Sequence, residues 1–351
     1  MKKKGMISWI GTVGSVFILT LLFAVQLRPA SAASEAKPIE LSFGNHAPPK
    51  SSPNRVAFAS WIKKIEKRTN GRLKIKIYPS QILFKARDAY DGVVNGIADI
   101  SWGAFSFTPG RFPLNSVMEL PFLSPSPFVG SHALHDLHKI FPEMRAELKD
   151  VHLLDLWVSL PYEIHTVKKP IRAIDDMKGM KFVTQPGARA AVEGLGAIPV
   201  TMPNTNLYQA LEKGVADGVV IAYGSFKSFK LYELTKYHTN AHLAGLPHWL
   251  AMNKNTWNRL PKDLQRVLAE VTAEMFPDAL TRAVSDEMDE AIEIIKKLGH
   301  ETIDLPSGEL AKWKATGKPA WGKWVKDMEA KGLPGQKVLD EALRLVEKYS
   351  K

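Results

Sequence analysis

The sequence predicts an α/β protein of two lobes, each a doubly wound sheet with helices packed on its faces. Three observations carry this. From Ile39 onward the pattern runs strand, helix, strand, helix, strand. A twelve-residue unit in that run, AYDGVVNGIADI (Ala89 to Ile100), has an echo about 118 residues later, LYQALEKGVADG (Leu207 to Gly218). The last third of the chain is dominated by long helical stretches.

Ile39 to Phe43 alternates and is rich in β-formers, so it reads as the first strand, with Gly44 to Pro49 as the loop leaving it. Pro53 sits in a first helical turn, and Phe58, Trp61, Ile62 and Ile65 follow at the spacing of one helix face. Asn70-Gly71 ends that helix, and Arg72 to Tyr78 (RLKIKIY) alternates as the second strand. The repeat unit supplies a short helix ending at a Gly, then a strand entered through an Asp. Tyr90/Tyr208, Gly96/Gly214, Ala98/Ala216 and Asp99/Asp217 fall at matching offsets. A Gly past a helix end takes the left-handed conformation without a Cβ penalty. One unit used twice suggests two similar lobes, and ligand sites favour the gap between lobes.

Leu120 to Pro127 is a Pro-rich break, and a helix from Phe128 to Lys149 is split at Pro142. Val151 to Ser159 and Ile164 to Val167 read as strands crossing into the second lobe. Asp176 to Gly218 alternates strand and helix; a helix near Ser225 to Leu231 and a strand near His238 to His242 follow. Leu250 to Asn253 reads as a strand returning to the first lobe. Pro261 to Lys297 is helical with a break at Phe276-Pro277, His300 to Leu305 is a strand, and helices over about 308–330 and 336–349 close the chain. The expected division is a leader over 1–33, the first lobe over 34–160, the second over 161–250, and the returning strand with bracing helices over 251–351.

The N-terminus has the form of a secretory signal: Lys2 to Lys4, an apolar run from Met6 to Leu27, and Ala30-Ser31-Ala32 before a cut. An uncleaved anchor is the alternative for so long a run. Losing the leader removes four positive charges and no negative ones from a net +11, leaving +7. That excess suits an anionic ligand or a negatively charged envelope. No basic stripe with interleaved aromatics stands out, so nucleic acid is not an expected partner. With no cysteine, disulfides, thiolate chemistry and Cys-bound zinc are excluded.

No nucleophile elbow, His-Glu-x-x-His or dinucleotide fingerprint occurs. His132, His135 and His138 read as a solvated helix face rather than a metal site. Gly317 to Lys323 has the spacing of a phosphate loop, but Pro and Trp lie inside it and no Ser or Thr follows the Lys. Neither metal nor cofactor is expected. Aromatic residues at strand ends are more informative: Trp102, Trp157, Tyr162, Tyr223, His248 and Trp249. Amphipathic rings near a cleft make apolar walls with polar tips.

Several motifs in one order resemble the extracytoplasmic solute receptors of tripartite ATP-independent periplasmic (TRAP) transporters, the DctP-type family. They are Gly71 to Ile75 through Tyr78-Pro79-Ser80, Tyr90 to Ile100, Ile174 to Lys181 (IDDMKGMK), Leu195 to Val200 through Met202-Pro203, Tyr208 to Gly218, and Met252-Asn253-Lys254. The resemblance implies a type II-like, two-lobe periplasmic binding protein fold, each lobe a mixed sheet, braced by long C-terminal helices. It implies closure over one small ligand, commonly an organic acid, and delivery to membrane permease subunits. One departure is consequential. The family usually carries an Arg where Val183 stands, and often another near Tyr162; the guanidinium grips a carboxylate as a bidentate fork.

The expected activity is therefore a periplasmic binding protein without catalysis, holding an organic-acid-like ligand between its lobes. The expected lining is Trp102 and Trp249 as aromatic walls, Tyr162, Thr184 and Tyr223 as hydrogen-bonding groups, Arg189 as the anion contact, and His46 behind them. Arg87 and Arg111 are less well placed. The alternatives are a receptor of an ABC-type importer, a sensory binding protein, or a secreted enzyme.

Overall fold

The computed structural model describes residues 37–202, 206–276 and 278–351. The leader expected over 1–33 lies outside the described residues.

The first lobe begins with β1 (Ile39–Gly44), α1 (Ala59–Arg68), β2 (Leu73–Tyr78), α2 (Ala89–Val94) and β3 (Ile100–Ala104). The helices α3 (Pro127–Ile140) and α4 (Pro142–Ala146) and strand β4 (Val151–Val158) follow. The second lobe holds β5 (Glu163–Thr166), β6 (Lys181–Thr184), α5 (Arg189–Gly194), β7 (Ile198–Val200), α6 (Leu207–Glu212), β8 (Gly218–Ile221), α7 (Tyr223–Ser228) and β9 (Tyr237–Asn240). The chain returns through β10 (Pro247–Asn253) and continues as α8 (Lys254–Arg259), α9 (Lys262–Met275), α10 (Asp278–Lys297), β11 (Glu301–Asp304), α11 (Ser307–Glu329) and α12 (Gly335–Ser350).

Two mixed sheets result. The first runs β2-β1-β3-β10-β4 and the second β11-β9-β5-β8-β6-β7. Within the first, β1 is parallel to β2 and β3, while β10 lies antiparallel between β3 and β4. The alternation of β2 is realised directly: Leu73 and Ile75 are buried, Lys74 and Lys76 exposed. The α1 stripe buries Trp61 and Ile65, and the helix stops where Asn70 and Gly71 turn left-handed at φ 51° and 73°. Between Pro53 and Phe58 the chain forms a π-helical turn ahead of α1.

The echo in the sequence is a shared piece of architecture. Gly96 and Gly214 both lie past a short helix with φ near 70°. Asp99 then accepts from the Ser42 backbone N–H in β1, and Asp217 accepts from the Lys181 backbone N–H in β6, each at 2.8 Å. In both lobes an Asp at the entry of one parallel strand thus holds a backbone N–H of its neighbour. Asp99 also accepts from the hydroxyls of Ser42 and Thr256, both at 2.8 Å.

The returning strand differs from its sequence reading. It starts at Pro247 rather than Leu250, and all seven residues are buried. Pro247-His248-Trp249 resembles a loop, but a Pro is tolerated at the first position of a strand.

The crossing segments between the sheets bond to each other. Ser159 N–H donates to Leu246 O at 3.0 Å, Tyr162 N–H to Ala244 O at 2.9 Å, and Leu243 N–H to Tyr162 O at 3.0 Å. Two long helices span both lobes. Trp313 of α11 is buried in the second-lobe core, while Trp321 and Trp324 donate to Pro121 O and Pro113 O of the first at 2.9 and 3.2 Å. On α10, Glu290 pairs with Lys227 of α7 in the second lobe and lies 3.7 Å from Arg55 in the first. Among the described residues no helix is long and apolar enough to cross a membrane.

Because Asp99 holds three groups and Asp217 one, Asp99→Ala should cost about 2–3 kcal/mol in urea unfolding, and Asp217→Ala clearly less. Equal losses would refute the asymmetry.

Candidate functional site

The C-terminal ends of β1, β3 and β4 and the entry of β10 gather at one edge of the first sheet, facing the crossing segments. Trp102 lies at the centre, 5% exposed. His46, in the loop leaving β1, puts its ring 4.3 Å from the Trp102 ring and meets Phe107 edge-on at 5.0 Å. From β10 and β4, His248 and Trp157 stack face to face at 4.9 Å, each about 5.5 Å from Trp102. On its other side Phe107 packs against the second-lobe core, which contains Tyr162 and Ala188.

This box is short of hydrogen-bond partners. Among the described residues, twelve buried side-chain polar atoms have none within the protein. Four belong to this region: His46 Nδ1, Trp102 Nε1, Tyr162 OH and His248 Nδ1. Each orphan costs about 1–3 kcal/mol, so a concentration of them marks where an outside molecule would bond.

Glu119 adds a carboxyl. It ends the 3₁₀ segment Asn115–Glu119, and its Oε1 accepts from Ser106 N–H at 3.0 Å. A Cβ built on Gly187, in the loop after β6, would lie 3.3 Å from the same carboxyl, so this first-lobe acid abuts the second lobe. A groove of about 220 Å³ between Phe105, Ser106, Phe112, Glu119 and Pro186 opens onto it.

Burial sets the protonation states. It lowers His46 to about 4 and His248 to about 3, so both rings are neutral at neutral pH. It raises Glu119 to about 8 against the pull of the Ser106 hydrogen bonds. Tyr162 is pushed far above its usual range by burial and by Glu119. No Lys or Arg among the described residues is buried. The site is thus aromatic and polar, with neutral donors and one acid.

Of the residues chosen from sequence, His46, Trp102 and Tyr162 come together here. Thr184 is buried at the end of β6, where its hydroxyl donates to Gln185 O at 3.2 Å. Three are placed differently. Trp249 is in β10, one residue past His248, so its ring points to the opposite face and packs on Tyr90 at 5.5 Å. Tyr223 opens α7 and donates to Asn240 Oδ1 at 2.8 Å inside the second-lobe core. Arg189 is 52% exposed and donates to Glu193 Oε1 at 2.9 Å, one helical turn on. Arg111 is engaged by Asp91 at 2.7 Å and lies over the Tyr90 ring, and Arg87 is exposed beside Asp88. Val183 packs in the apolar core with Leu207, Val219 and Ile221. The reading from sequence passed over Glu119, Ser106 and Phe107. Only the aromatic loop 105–112 signalled them, and Glu119 stands just before the Pro-rich break.

The helix histidines diverge. His132 bonds Phe128 O at 3.0 Å, His135 contacts Leu156 O and Asp155 at 2.7 and 3.1 Å, and His138 is buried beside Arg145. His135 and Asp155 line a second groove of about 330 Å³, on the face of β4 toward α9. In the second lobe, His165 and His238 meet through their Nδ1 atoms at 2.9 Å, and His238 Nε2 meets His300 Nδ1 at 3.2 Å.

A profile of the family described as "Bacterial extracellular solute-binding protein, family 7" matches residues 43–327. A solute-binding protein of Albidiferax ferrireducens is 29% identical over 288 residues, covering 78% of this chain and 81% of its own. A TRAP solute-binding protein of Rhodoferax ferrireducens, solved with copurified benzoate, superposes with a TM-score of 0.83 at 28% identity, over 89% of this chain and 98% of its own. A marine metagenome TRAP solute-binding protein specific for aromatic acids, solved with 3-hydroxybenzoate, gives 0.83 at 32% identity, over 90% and 99%.

The buried histidines make stability fall in acid. Burial depresses His46, His138, His165, His238 and His248 in the fold, whereas the unfolded chain titrates them near 6.5. Their contribution is therefore full above about pH 6.5 and is lost as pH drops below it. His135 and His242, raised through Asp155 and Glu163, and the carboxyls of Glu119, Glu147, Asp155 and Glu287, raised by burial, act in the opposite sense. Each neutral buried histidine should contribute up to about 1.4 kcal/mol of acid destabilisation per pH unit between about pH 7 and 5. His248→Phe should therefore lose less melting temperature than the parent over that range; identical pH profiles for the two proteins would refute the account.

Proposed function

The chain belongs to family 7 of the bacterial extracellular solute-binding proteins, and on that premise we propose that it is the receptor of a TRAP transporter, enclosing an aromatic carboxylic acid between its lobes for delivery to the membrane permease. The observation that carries this is the ring box of His46, Trp102, Phe107, Trp157 and His248 with its unpartnered donors. A planar acid has one apolar face set and one anionic end. Its ring gains from stacking and edge contact with the box. Its carboxylate accepts from neutral N–H and O–H donors, charge-assisted bonds about twice as strong as neutral ones. The structures with benzoate and 3-hydroxybenzoate support the ligand class.

Closure is a rotation about the bonded crossing segments around Ser159–Tyr162 and Leu243–Leu246, bringing Thr184 toward the box. Export to the periplasm is supported by Lys2 to Lys4, the apolar run to Leu27 and the small-residue cut site. The reading includes no chemical step. The family binds and releases solutes.

Calorimetric titration tests the ligand class. Benzoate and 3-hydroxybenzoate should bind, and succinate much more weakly. Trp102→Phe keeps a ring but removes the Nε1 donor, and should weaken benzoate about tenfold, the worth of one hydrogen bond to a charged group. Arg189→Ala should leave affinity unchanged. Succinate binding as tightly as the aromatic acids would overturn the proposal.

A further inference from the structure

Resting on the aromatic-acid reading, a further question is how an anion is held in a cleft whose surroundings bury no cation. The family's usual arginine position is Val183, sealed in the apolar core. Arg189 and Arg111 are turned to surface carboxylates. What the cleft does hold is Glu119. An ionised Glu119 would repel an incoming carboxylate through a medium that screens poorly. The same group with a proton would be a donor.

We propose that Glu119 takes part in binding as a neutral acid and donates a hydrogen bond to the ligand's carboxylate, so that an acid–carboxylate pair replaces the arginine fork. Three features of the geometry carry this. One oxygen is fixed by the Ser106 N–H at 3.0 Å, which leaves the other as the site of the proton. The carboxyl lies against Gly187 of the second lobe, so lobe closure encloses it. Tyr162 OH, on a neighbouring segment, is a further hydroxyl without a partner that completes the anion's bonds. The proton is shared, not consumed, so site and ligand together carry one negative charge. That balance favours a monocarboxylate, since a dicarboxylate brings a second charge with no second acid to meet it.

The titratable groups around Glu119 are few. Tyr162 faces it from the crossing segment and His248 stands on β10, which packs against the same 3₁₀ segment. Glu147 binds the other end of that segment, accepting from Leu114 and Asn115 N–H. The packed faces of α3 and α12 present Leu134, Leu137, Leu339 and Ala342. On the second-lobe side, Arg189 follows Gly187 and is occupied by Glu193. Burial already places Glu119 at about 8, and a bound carboxylate raises it further. The two cleft histidines titrate near 4 and 3 and Tyr162 far above 10, which leaves the alkaline window to Glu119.

Benzoate titrations from about pH 6.5 to 9.5, in buffers of different protonation enthalpy, test this. Affinity should be level up to about pH 8 and then fall by about tenfold per pH unit, with up to one proton taken up per benzoate. Glu119→Gln, neutral and a donor at every pH, should lose the alkaline fall. Wild-type affinity that stays level through the range overturns the inference while leaving the aromatic-acid reading intact. So does a Glu119→Gln protein, folded by circular dichroism, that retains the fall. If neither benzoate nor 3-hydroxybenzoate binds at any pH, the aromatic-acid reading fails and this inference fails with it. Proton uptake by the wild-type protein needs no variant, and its absence above pH 8 is decisive alone.

Discussion

Three backbone hydrogen bonds between the crossing segments, linking Ser159 to Leu246, Tyr162 to Ala244 and Leu243 to Tyr162, tie the two lobes together. They occupy groups that a pair of independent linkers would leave to water, and they fix where each sheet ends relative to the other. The edge formed by Trp102, Trp157 and His248 faces the second lobe because β4 leaves the first sheet, and β10 re-enters it, through these segments. Tyr162 is at once a member of the strap and a wall of the cleft, since its backbone is bonded both ways while its hydroxyl is left without a partner. Rotation about the strap can therefore change the cleft without breaking either sheet.

The cleft is expensive in the absence of a partner molecule. Buried donors that bond nothing subtract from stability, and ordinary proteins keep them few. Here they cluster beside stacked rings that the two cores hold in place. Phe58 and Trp157 back the first-lobe side, and the core around Tyr162 and Ala188 supports Phe107. The rigidity comes from the cores and the unsatisfied polarity from the strand ends, a division expected of preorganised binding sites. The absence of a buried guanidinium among the described residues shifts the burden of holding an anion to neutral dipoles and one carboxyl. That makes protonation state, rather than fixed charge, the quantity that governs recognition.

The long helices α10 and α11 constrain the same motion from outside. Each anchors on both lobes, α11 through Trp313 at one end and Trp321 with Trp324 at the other. Gly317 lies between these anchors, where a Cβ would sit 3.0 Å from Pro121 and 3.1 Å from its carbonyl oxygen. The helix crosses from one lobe to the other at a point of close approach, where any side chain would press on Pro121 and Phe122. The spacing that resembles a phosphate loop in sequence is in fact a helix–loop packing site.

Much of this was legible in the residues alone. Local periodicity determined β2 and α1, and the positive-φ glycines with Asp99 and Asp217 announced a duplicated strand-entry unit, because these features depend on near neighbours. The order of motifs determined the family. Tertiary structure decided the rest. Whether Trp249 or His248 faces the cleft depends on the register of β10 between β3 and β4, and a one-residue shift exchanges the faces. Whether Arg189 meets a ligand or Glu193 depends on the direction α5 takes after the loop. Glu119 carries no motif at all; it becomes a site residue only because the second lobe brings Gly187 so close to its carboxyl that a Cβ there would lie 3.3 Å away. Contacts between residues distant in sequence, and the burial they impose on a single carboxyl, leave no trace in local pattern.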